Sequence, residues 1–314
     1  MKRILFILVF VLLLAGCTLD ASLNGVDNSG QEIPGDNQPP VIEDNGNFDN
    51  GDVNDDNNNH IQPEDPNLIS KKIDNLTISS LNEGYSKSGN DIIFTKAGEY
   101  IVSGSYSGSL VFSVDTLESV TIYLNNANIE SVSNHTIYWT NTTGKIEIKA
   151  MEGTTNTITV KEDASNLFSA VESENNIEIG GSGKLTIKGL QRHAVKGSNI
   201  EVKGNVDLTV EAVKDGLHGK QIIISGGNTK INNCTDAIQA EINSNNAKGT
   251  ILVEEGYLTI NNCKRAFRAT TSVTISVLAN SNIIIYVYNT NTVIDCPTVN
   301  YVSGTFKVNG VDYK

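Results

Sequence analysis

A short motif recurs six times between residues 135 and 269, and it constrains the fold more than any other feature of the chain. The third position of each copy is always large and apolar. These apolar residues are Ile137, Phe168, Val195, Leu217, Ile238 and Phe267. The shortest spacing between copies sets a minimum repeat of about 21 residues, and insertions such as residues 243–249 explain the longer spacings.

Each repeat consists of strands and turns. A second strand recurs within the units, at residues 185–188, 208–211, 229–232 and 258–261, and no stretch after residue 66 has a sustained helical period. A β-sandwich also contains short strands, but it does not require them to repeat in register. A unit of this size with about three strands cannot bury its apolar positions alone, so units must stack. The sequence predicts an all-β, right-handed parallel β-helix.

Two residue types recur at equivalent places in successive units. Asn232 and Asn233 precede Cys234, and Asn261 and Asn262 precede Cys263. Stacking would place Asn on Asn and Cys on Cys about one strand spacing apart, and we interpret the asparagines as a structural ladder at the turns. The cysteines form a disulfide or remain buried thiols, and we favour thiols because Cys often serves as a small core residue. Besides Cys17, three cysteines are present, Cys234, Cys263 and Cys296, so at least one of them is unpaired or forms an intermolecular bond.

Residues 1–17 have the pattern of a lipoprotein signal. Lys2 and Arg3 precede an apolar run over residues 4–15, and Gly16 and Cys17 follow it. The run is shorter than the roughly 20 residues of a spanning helix, so cleavage before Cys17 is favoured over a retained anchor helix. We predict a signal peptide over residues 1–16 and lipidation at Cys17. This modification would hold the protein on the extracellular face of a bacterial membrane.

The charge of the chain lies mostly between the signal and the repeats. Residues 18–66 contain nine Asp, three Glu, no Lys or Arg, and five of the six prolines. Such a segment cannot bury a core, so residues 17–66 are predicted to be a disordered acidic stalk, with a calcium-gathering tail as the alternative. The net charge of −13 divides into +2 before Cys17, −12 in the stalk and −3 in residues 67–314. Nucleic acid is therefore not an expected partner.

Several ordered motifs resemble a known protein family. They are residues 97–105 (AGEYIVSGS), 120–129 (VTIYLNNANI), 152–158 (EGTTNTI), 180–187 (GGSGKLTI) and 214–219 (KDGLHG). They are similar to those of secreted bacterial carbohydrate-binding β-helix proteins with a pectate-lyase-like fold, formerly a domain of unknown function. The resemblance covers about residues 90–290 and implies binding of plant-type polysaccharide, acidic or cellulosic, assisted by calcium.

Only two repeats keep the acidic residue of that family's motif, so Asp215 and Asp236 alone inherit a possible calcium role. On adjacent coils the two carboxylates would repel each other unless a cation or a proton lay between them. Calcium would suit such a pair. A salt bridge from Arg265, one coil further on, is the equal alternative.

An outward column beside the apolar positions is the predicted sugar-binding surface. Its members are Tyr138, Ser169, Lys196, His218, Gln239 and Arg268, which alternate with the inward residues and form a polar, mildly basic stripe. The alternative is an ordinary solvated sheet face. Tyr286 and Tyr288 are further predicted sugar contacts, or a cover for the C-terminal edge, whereas Trp139 is expected to be buried.

Three classes of function remain for residues 67–314. Polysaccharide binding is favoured over a calcium-dependent polysaccharide lyase, because Lys196, Lys214, Lys220 and Arg265 are only generic candidates for a base. A glycosidase would need a carboxylate pair that only Asp215 and Asp236 provide. A surface adhesin or structural spacer would use the same stalk and fold without a sugar.

Overall fold

The computed structural model describes residues 60–114, 117–140, 144–163, 165–242, 249–276 and 282–313. The signal, Cys17 and the stalk up to residue 59 lie outside these residues, as does most of the predicted insertion at 243–249. In the described part of the chain, no helix has the length and apolar character required to cross a membrane.

The described residues form strands joined by short turns. The first strands are β1 (Ile69–Ile73), β2 (Asn75–Ser80), β3 (Tyr85–Ser88), β4 (Asp91–Phe94), β5 (Gly98–Ser107), β6 (Ser109–Phe112), β7 (Ser119–Ser131) and β8 (Ile137–Trp139). The next are β9 (Lys145–Ala150), β10 (Thr155–Val160), β11 (Val171–Ser173), β12 (Asn176–Gly181), β13 (Lys184–Gly189), β14 (Val195–Lys196), β15 (Asn199–Val202), β16 (Asp207–Ala212) and β17 (Asp215–Gly219). The last are β18 (Gln221–Ala240), β19 (Thr250–Ala269), β20 (Ser272–Ile275), β21 (Ile283–Tyr288), β22 (Thr292–Asp295), β23 (Thr298–Tyr301), β24 (Thr305–Val308) and β25 (Val311–Asp312).

Most of these strands stack in parallel on three faces, in a solenoid of about seven turns. The first face contains β9, β12 and β15, the second contains β10, β13 and β16, and the third contains β8, β11, β14 and β17. The long strands β18 and β19 run through all three faces in succession. The prediction of an all-β parallel β-helix is confirmed.

Columns of aliphatic side chains fill the interior. On the second face, one column continues through six coils, and all of its members are fully buried: Ile158, Ile187, Val210, Ile231, Ile260 and Val287. Burying a side chain of this size contributes roughly 1.5–3 kcal/mol, so the columns are the main source of stability. Trp139 is also fully buried, as predicted, and is stacked on Phe112.

Antiparallel strands close the ends of the solenoid. Strand β1 pairs with β2, and β2 pairs with β5, at the N-terminal end, while β24 and β25 form a hairpin at the C-terminal end. Such caps cover strand edges that would otherwise be open to pairing with another chain. The folded unit begins before the predicted boundary at residue 67, because Ile61 is buried against Ile101 and Tyr123.

The register of the second repeat differs from the prediction. Val171, and not Phe168, pairs with Ile137 and Val195 on the neighbouring coils. Phe168 lies in the preceding connection and is only partly buried. The physical reason is a local turn: Asp163 accepts hydrogen bonds from Ser165 and Asn166. This insertion carries its own apolar residue, which imitates the repeat.

The stacked turns follow the prediction for asparagine and correct it for cysteine. Asn233 and Asn262 have left-handed backbones with φ of 54° and 56°, and Asn262 Nδ2 donates to Asn233 Oδ1 at 2.7 Å. The structural ladder is confirmed. Cys234 and Cys263 form a disulfide, so the preference for thiols was wrong. Their Cα atoms are 4.7 Å apart on paired positions, which lies within the distance that a disulfide spans.

Candidate functional site

The predicted outward column exists on the third face, with one change of member. Tyr138, Lys196, His218, Gln239 and Arg268 occupy one column across the coils, and the column continues to Asp295. Glu172 takes the place predicted for Ser169, for the reason of register given above, and Ser169 is buried. We call this column, with Glu172 and Asp295, the outer stripe.

The charges of the outer stripe compensate each other. Lys196 Nζ lies 2.6 Å from Glu172 Oε1, and Ser169 Oγ donates to Glu172 Oε2 at 2.7 Å. Burial raises the pKa of Glu172, but the hydrogen bond from Lys196, the electrostatic interaction with His135 and the hydrogen bond from Ser169 outweigh it and hold that pKa below its usual value. The stripe is thus balanced in charge rather than mildly basic, which corrects the prediction.

Exposure along the stripe is uneven. His218 and Gln239 are 8% and 5% exposed, so neither presents much surface to a ligand. Arg268 is more open, and with Gln239 and Asp295 it lines an open groove of about 470 Å³ at the C-terminal end of the third face. Any sugar contact by the stripe would concentrate at this groove.

Asp236 is engaged by two arginines. Arg265 donates to both carboxylate oxygens, from Nε to Oδ1 at 2.6 Å and from Nη2 to Oδ2 at 2.8 Å. Arg268 Nη1 lies 3.4 Å from Oδ2. This is the salt bridge that the sequence offered as the alternative to calcium.

Asp215 pairs in register with Asp236, as predicted, but its carboxylate has different neighbours. His193 Nδ1 and His218 Nδ1 each lie 3.0 Å from Asp215 Oδ2. Asp236 contacts guanidinium groups and Asp215 contacts imidazoles. These neighbours do not provide the oxygen ligands that calcium prefers. A calcium site at this pair stays a prediction.

Tyrosines gather on the outward side of the second face. Tyr286 and Tyr288 alternate with the buried Ile285 and Val287, as predicted, and are partly exposed. Their rings are nearly parallel, at 27°, with centroids 6.2 Å apart. Tyr257 lies on the preceding coil and pairs with Ile284, which is two residues before Tyr286. Tyr257 therefore points outward, as Tyr286 does, and is partly exposed. We call Tyr257, Tyr286 and Tyr288 the tyrosine face.

Hydrogen-bonding residues surround the tyrosine face. Thr259 lies beside Tyr286 on one coil and Lys307 beside it on the next, while Asn261 is paired with Tyr288. Lys230 is the neighbour of Thr259 on the preceding coil and is exposed. Together they give a surface of tyrosine side chains edged by hydroxyl, amide and ammonium groups.

Comparison with known proteins assigns the sequence to a family. Residues 88–300 match the family model described as carbohydrate-binding domain-containing protein. The chain belongs to this carbohydrate-binding domain family. Residues 1–18 match the prokaryotic membrane lipoprotein lipid attachment site, so this family member is a lipid-anchored, membrane-associated protein. No curated protein matches the chain.

A solved structure shares the fold of this family member. It is the polysaccharide lyase-like protein from C. thermocellum, in a gadolinium derivative. The two share 24% sequence identity with a TM-score of 0.62, over 73% of this chain and 94% of that one. At this identity the similarity establishes the fold alone.

Sequence reasoning missed three features of these surfaces. Tyr257 has the same strand parity as Thr259, the partner of Tyr286 on the preceding coil, so alternation along that strand would have found it. Glu172 was hidden by the register error. The convergence of His193 with Asp215 and His218 was also missed, although His193 and Asp215 each lie two residues before a paired apolar position, Val195 and Leu217, on adjacent coils.

Proposed function

We propose that this protein displays a polysaccharide-binding surface at a bacterial membrane, and that the tyrosine face is that surface. The observation that supports the proposal is the pair of nearly parallel, partly exposed rings of Tyr286 and Tyr288 with Tyr257 on the same side. Tyrosine combines an apolar body with a polar tip, so it can stack on the apolar face of a sugar ring while its hydroxyl remains hydrated.

The strand geometry favours an extended chain of sugars as the ligand. Outward residues two positions apart lie about 7 Å apart along a strand, and neighbouring coils lie about 4.8 Å apart. An extended cellulosic or uronate polymer that lies across this face would therefore contact more than one tyrosine. Lys307 at the border, and Lys230, which lies 3.8 Å from Asp207 in an exposed pair, would favour a polymer that carries carboxylates.

The outer stripe is the weaker candidate surface. Its Lys196 and Arg268 already contact Glu172 and Asp236, and a ligand would have to compete with these contacts. Two of its central side chains are almost buried. Only the groove beside Arg268 is open enough to accept a sugar.

A glycan array with the detergent-solubilised full chain tests the proposal. The double variant Tyr286→Ala with Tyr288→Ala should lower affinity for the bound polysaccharide at least about tenfold, because truncation of an aromatic anchor typically costs more than about 1 kcal/mol. Tyr301→Ala is the matched control, since Tyr301 is an exposed tyrosine outside the tyrosine face.

Four results would contradict the proposal. Wild-type affinity in the double tyrosine variant would exclude the tyrosine face. Loss of binding in Arg268→Ala alone would move the site to the groove of the outer stripe. Binding to proteins but to no glycan would favour an adhesin, and shortening of polygalacturonate during the assay would favour a lyase.

A further inference from the structure

Three buried side chains from two neighbouring coils converge beneath the third face. His193 comes from the turn before β14, and Asp215 and His218 lie at positions one and four of β17. One potential ligand atom from each residue lies within 4.8 Å of the other two. His193 and Asp215 are fully buried, and His218 is 8% exposed.

The cluster contains polar atoms that lack hydrogen bonds within the described residues. They are both ring nitrogens of His193 and Asp215 Oδ1. His193 Nδ1 lies 3.0 Å from Asp215 Oδ2, but the ring is not oriented for a hydrogen bond to it. A buried polar atom without a partner loses roughly 1–3 kcal/mol of solvation, so such atoms require an explanation.

From this geometry we infer a binding site for a divalent transition-metal ion, of the zinc class, formed by His193, Asp215 and His218. Two imidazoles and one carboxylate are a common set of three protein ligands for zinc, with a fourth position open to water. Calcium prefers oxygen ligands alone and is not expected to bind these histidines.

The distances suit one shared ion. Ligand atoms at about 2.1 Å from a tetrahedral zinc ion are about 3.4 Å from each other. Asp215 Oδ2 is 3.0 Å from Nδ1 of both histidines, so a small outward movement of each ring would accommodate the ion. The imidazole rings already lie close together, with centroids 4.4 Å apart.

A further carboxylate supports the histidine nearest the surface. His218 Nε2 lies 3.2 Å from Glu241 Oε1, and Gln239 Nε2 donates to Glu241 Oε2 at 3.0 Å. A carboxylate on the far nitrogen of a metal-bound histidine fixes the ring and its tautomer. Because Glu241 is substantially exposed, this side of the cluster is also the path by which an ion would enter.

The protonation states agree with the proposed role. Burial lowers the pKa of His193, which favours the neutral imidazole. Burial raises the pKa of Asp215, but the contacts with His193 and His218 outweigh it and bring that pKa well below its usual value. Neutral imidazole and ionised carboxylate are the forms that bind metals.

His135 provides a matched control within the same fold. It is another largely buried histidine beside a carboxylate, with Nδ1 at 3.4 Å from Glu172 Oε2. Among the described residues no second histidine joins this pair, and it is not part of a three-residue metal cluster. Metal binding at His193 should therefore not be reproduced at His135.

The test uses chelator-treated full chain in detergent, with Zn²⁺, Co²⁺ and Ca²⁺ added separately. One Zn²⁺ per chain should bind and raise the melting temperature. Co²⁺ should give the visible absorption bands of a site with nitrogen ligands, and both signals should be lost in His193→Gln and Asp215→Asn. His218→Gln should weaken Zn²⁺ binding at least tenfold, and His135→Gln should bind as wild type.

A measurement on the unaltered chain keeps the test independent of how the variants fold. The sequence has only four histidines, so their ring resonances can be followed individually by NMR. Zn²⁺ should shift those of His193 and His218 and leave those of His60 and His135 unchanged. Failure to bind Zn²⁺, shifts at His60 or His135 alone, or full binding by a folded His193→Gln chain would overturn the site. None of these outcomes bears on sugar binding at the tyrosine face.

Discussion

Single residues decide the electrostatics of the third face, and Asp236 is the clearest case. Its side chain is 1% exposed, and the two charge-assisted hydrogen bonds from Arg265 compensate for the loss of hydration. Removing one partner of a buried pair leaves an uncompensated charge. The loss of stability on removing one partner of an ion pair should therefore depend on how deeply that pair is buried. It should not depend on how many ion pairs the side chain makes.

Arg265→Ala should destabilise the protein by about 2–4 kcal/mol, because Asp236 would retain only the longer contact with Arg268. The midpoint of urea denaturation measures this effect. Lys87→Ala is the comparison, since the Lys87–Asp74 pair is exposed and its loss should shift the midpoint much less. Equal shifts in the two variants would show that burial of the pair is not the reason.

His135 should make stability depend on pH. Burial lowers its pKa, and the nearby Glu172 only partly opposes this. The unfolded chain therefore takes up a proton near pH 6.5 while the folded chain resists it, so the free energy of unfolding should fall as the pH decreases below about 6.5. His135→Gln should make the slope between pH 5 and 7 shallower, as measured by urea denaturation at each pH. An unchanged slope would contradict a buried, neutral His135.

At the scale of elements, the turns between the second and third faces depend on asparagine. Asn233 and Asn262 occupy left-handed conformations on successive coils and are joined through their side chains. Asparagine tolerates this conformation better than other residues with a Cβ atom, and glycine tolerates it best. The ladder thus serves both the backbone geometry and the side-chain bonding.

Asn262→Ala should destabilise the protein by about 1–2 kcal/mol, because alanine is strained at this φ and cannot donate to Asn233. Asn262→Gly loses the same hydrogen bond without the strain and should cost less. Thermal melts of the two variants compare these terms directly. If alanine is tolerated as well as glycine, the left-handed backbone is not what selects asparagine here.

The elements could be predicted wherever the repeat was regular. Val195, Leu217 and Ile238 follow one another at nearly equal spacing, close to the minimum repeat, and their pairing follows the prediction. The segment from Ile137 to Val171 is much longer than the minimum repeat. The sequence pattern there assigned the inward apolar position to Phe168, whereas Val171 occupies it. Periodicity identifies a stack, but it cannot separate a strand from an insertion that carries an apolar residue.

At the scale of the whole molecule, the fold was more predictable than the sites. The fold follows from a period that every coil must obey if its apolar column is to remain buried. The contacts of Asp215 and Asp236 depend on which neighbouring side chain reaches each carboxylate, and the two differ although their register is the same. Strand parity predicts that the side chain of Tyr286 points outward, but it does not predict the orientation of the ring.

Lipidation at Cys17 is expected to hold the whole molecule at the membrane. Residues 1–18 match a lipoprotein attachment site, in which Cys17 is the cysteine that would carry the acyl chains. Two acyl chains hold a protein stably on a bilayer.

Cys17→Ser should therefore move most of the protein from the membrane fraction to the medium, as measured by immunoblotting of both fractions. Cys296→Ser is the control and should stay with the membrane, because Cys296 is a free cysteine far outside the matched attachment site. The released Cys17→Ser chain should bind polysaccharide as wild type does, since the tyrosine face is unchanged. Retention of Cys17→Ser at the membrane would instead indicate that the apolar run over residues 4–15 is not removed and anchors the chain by itself.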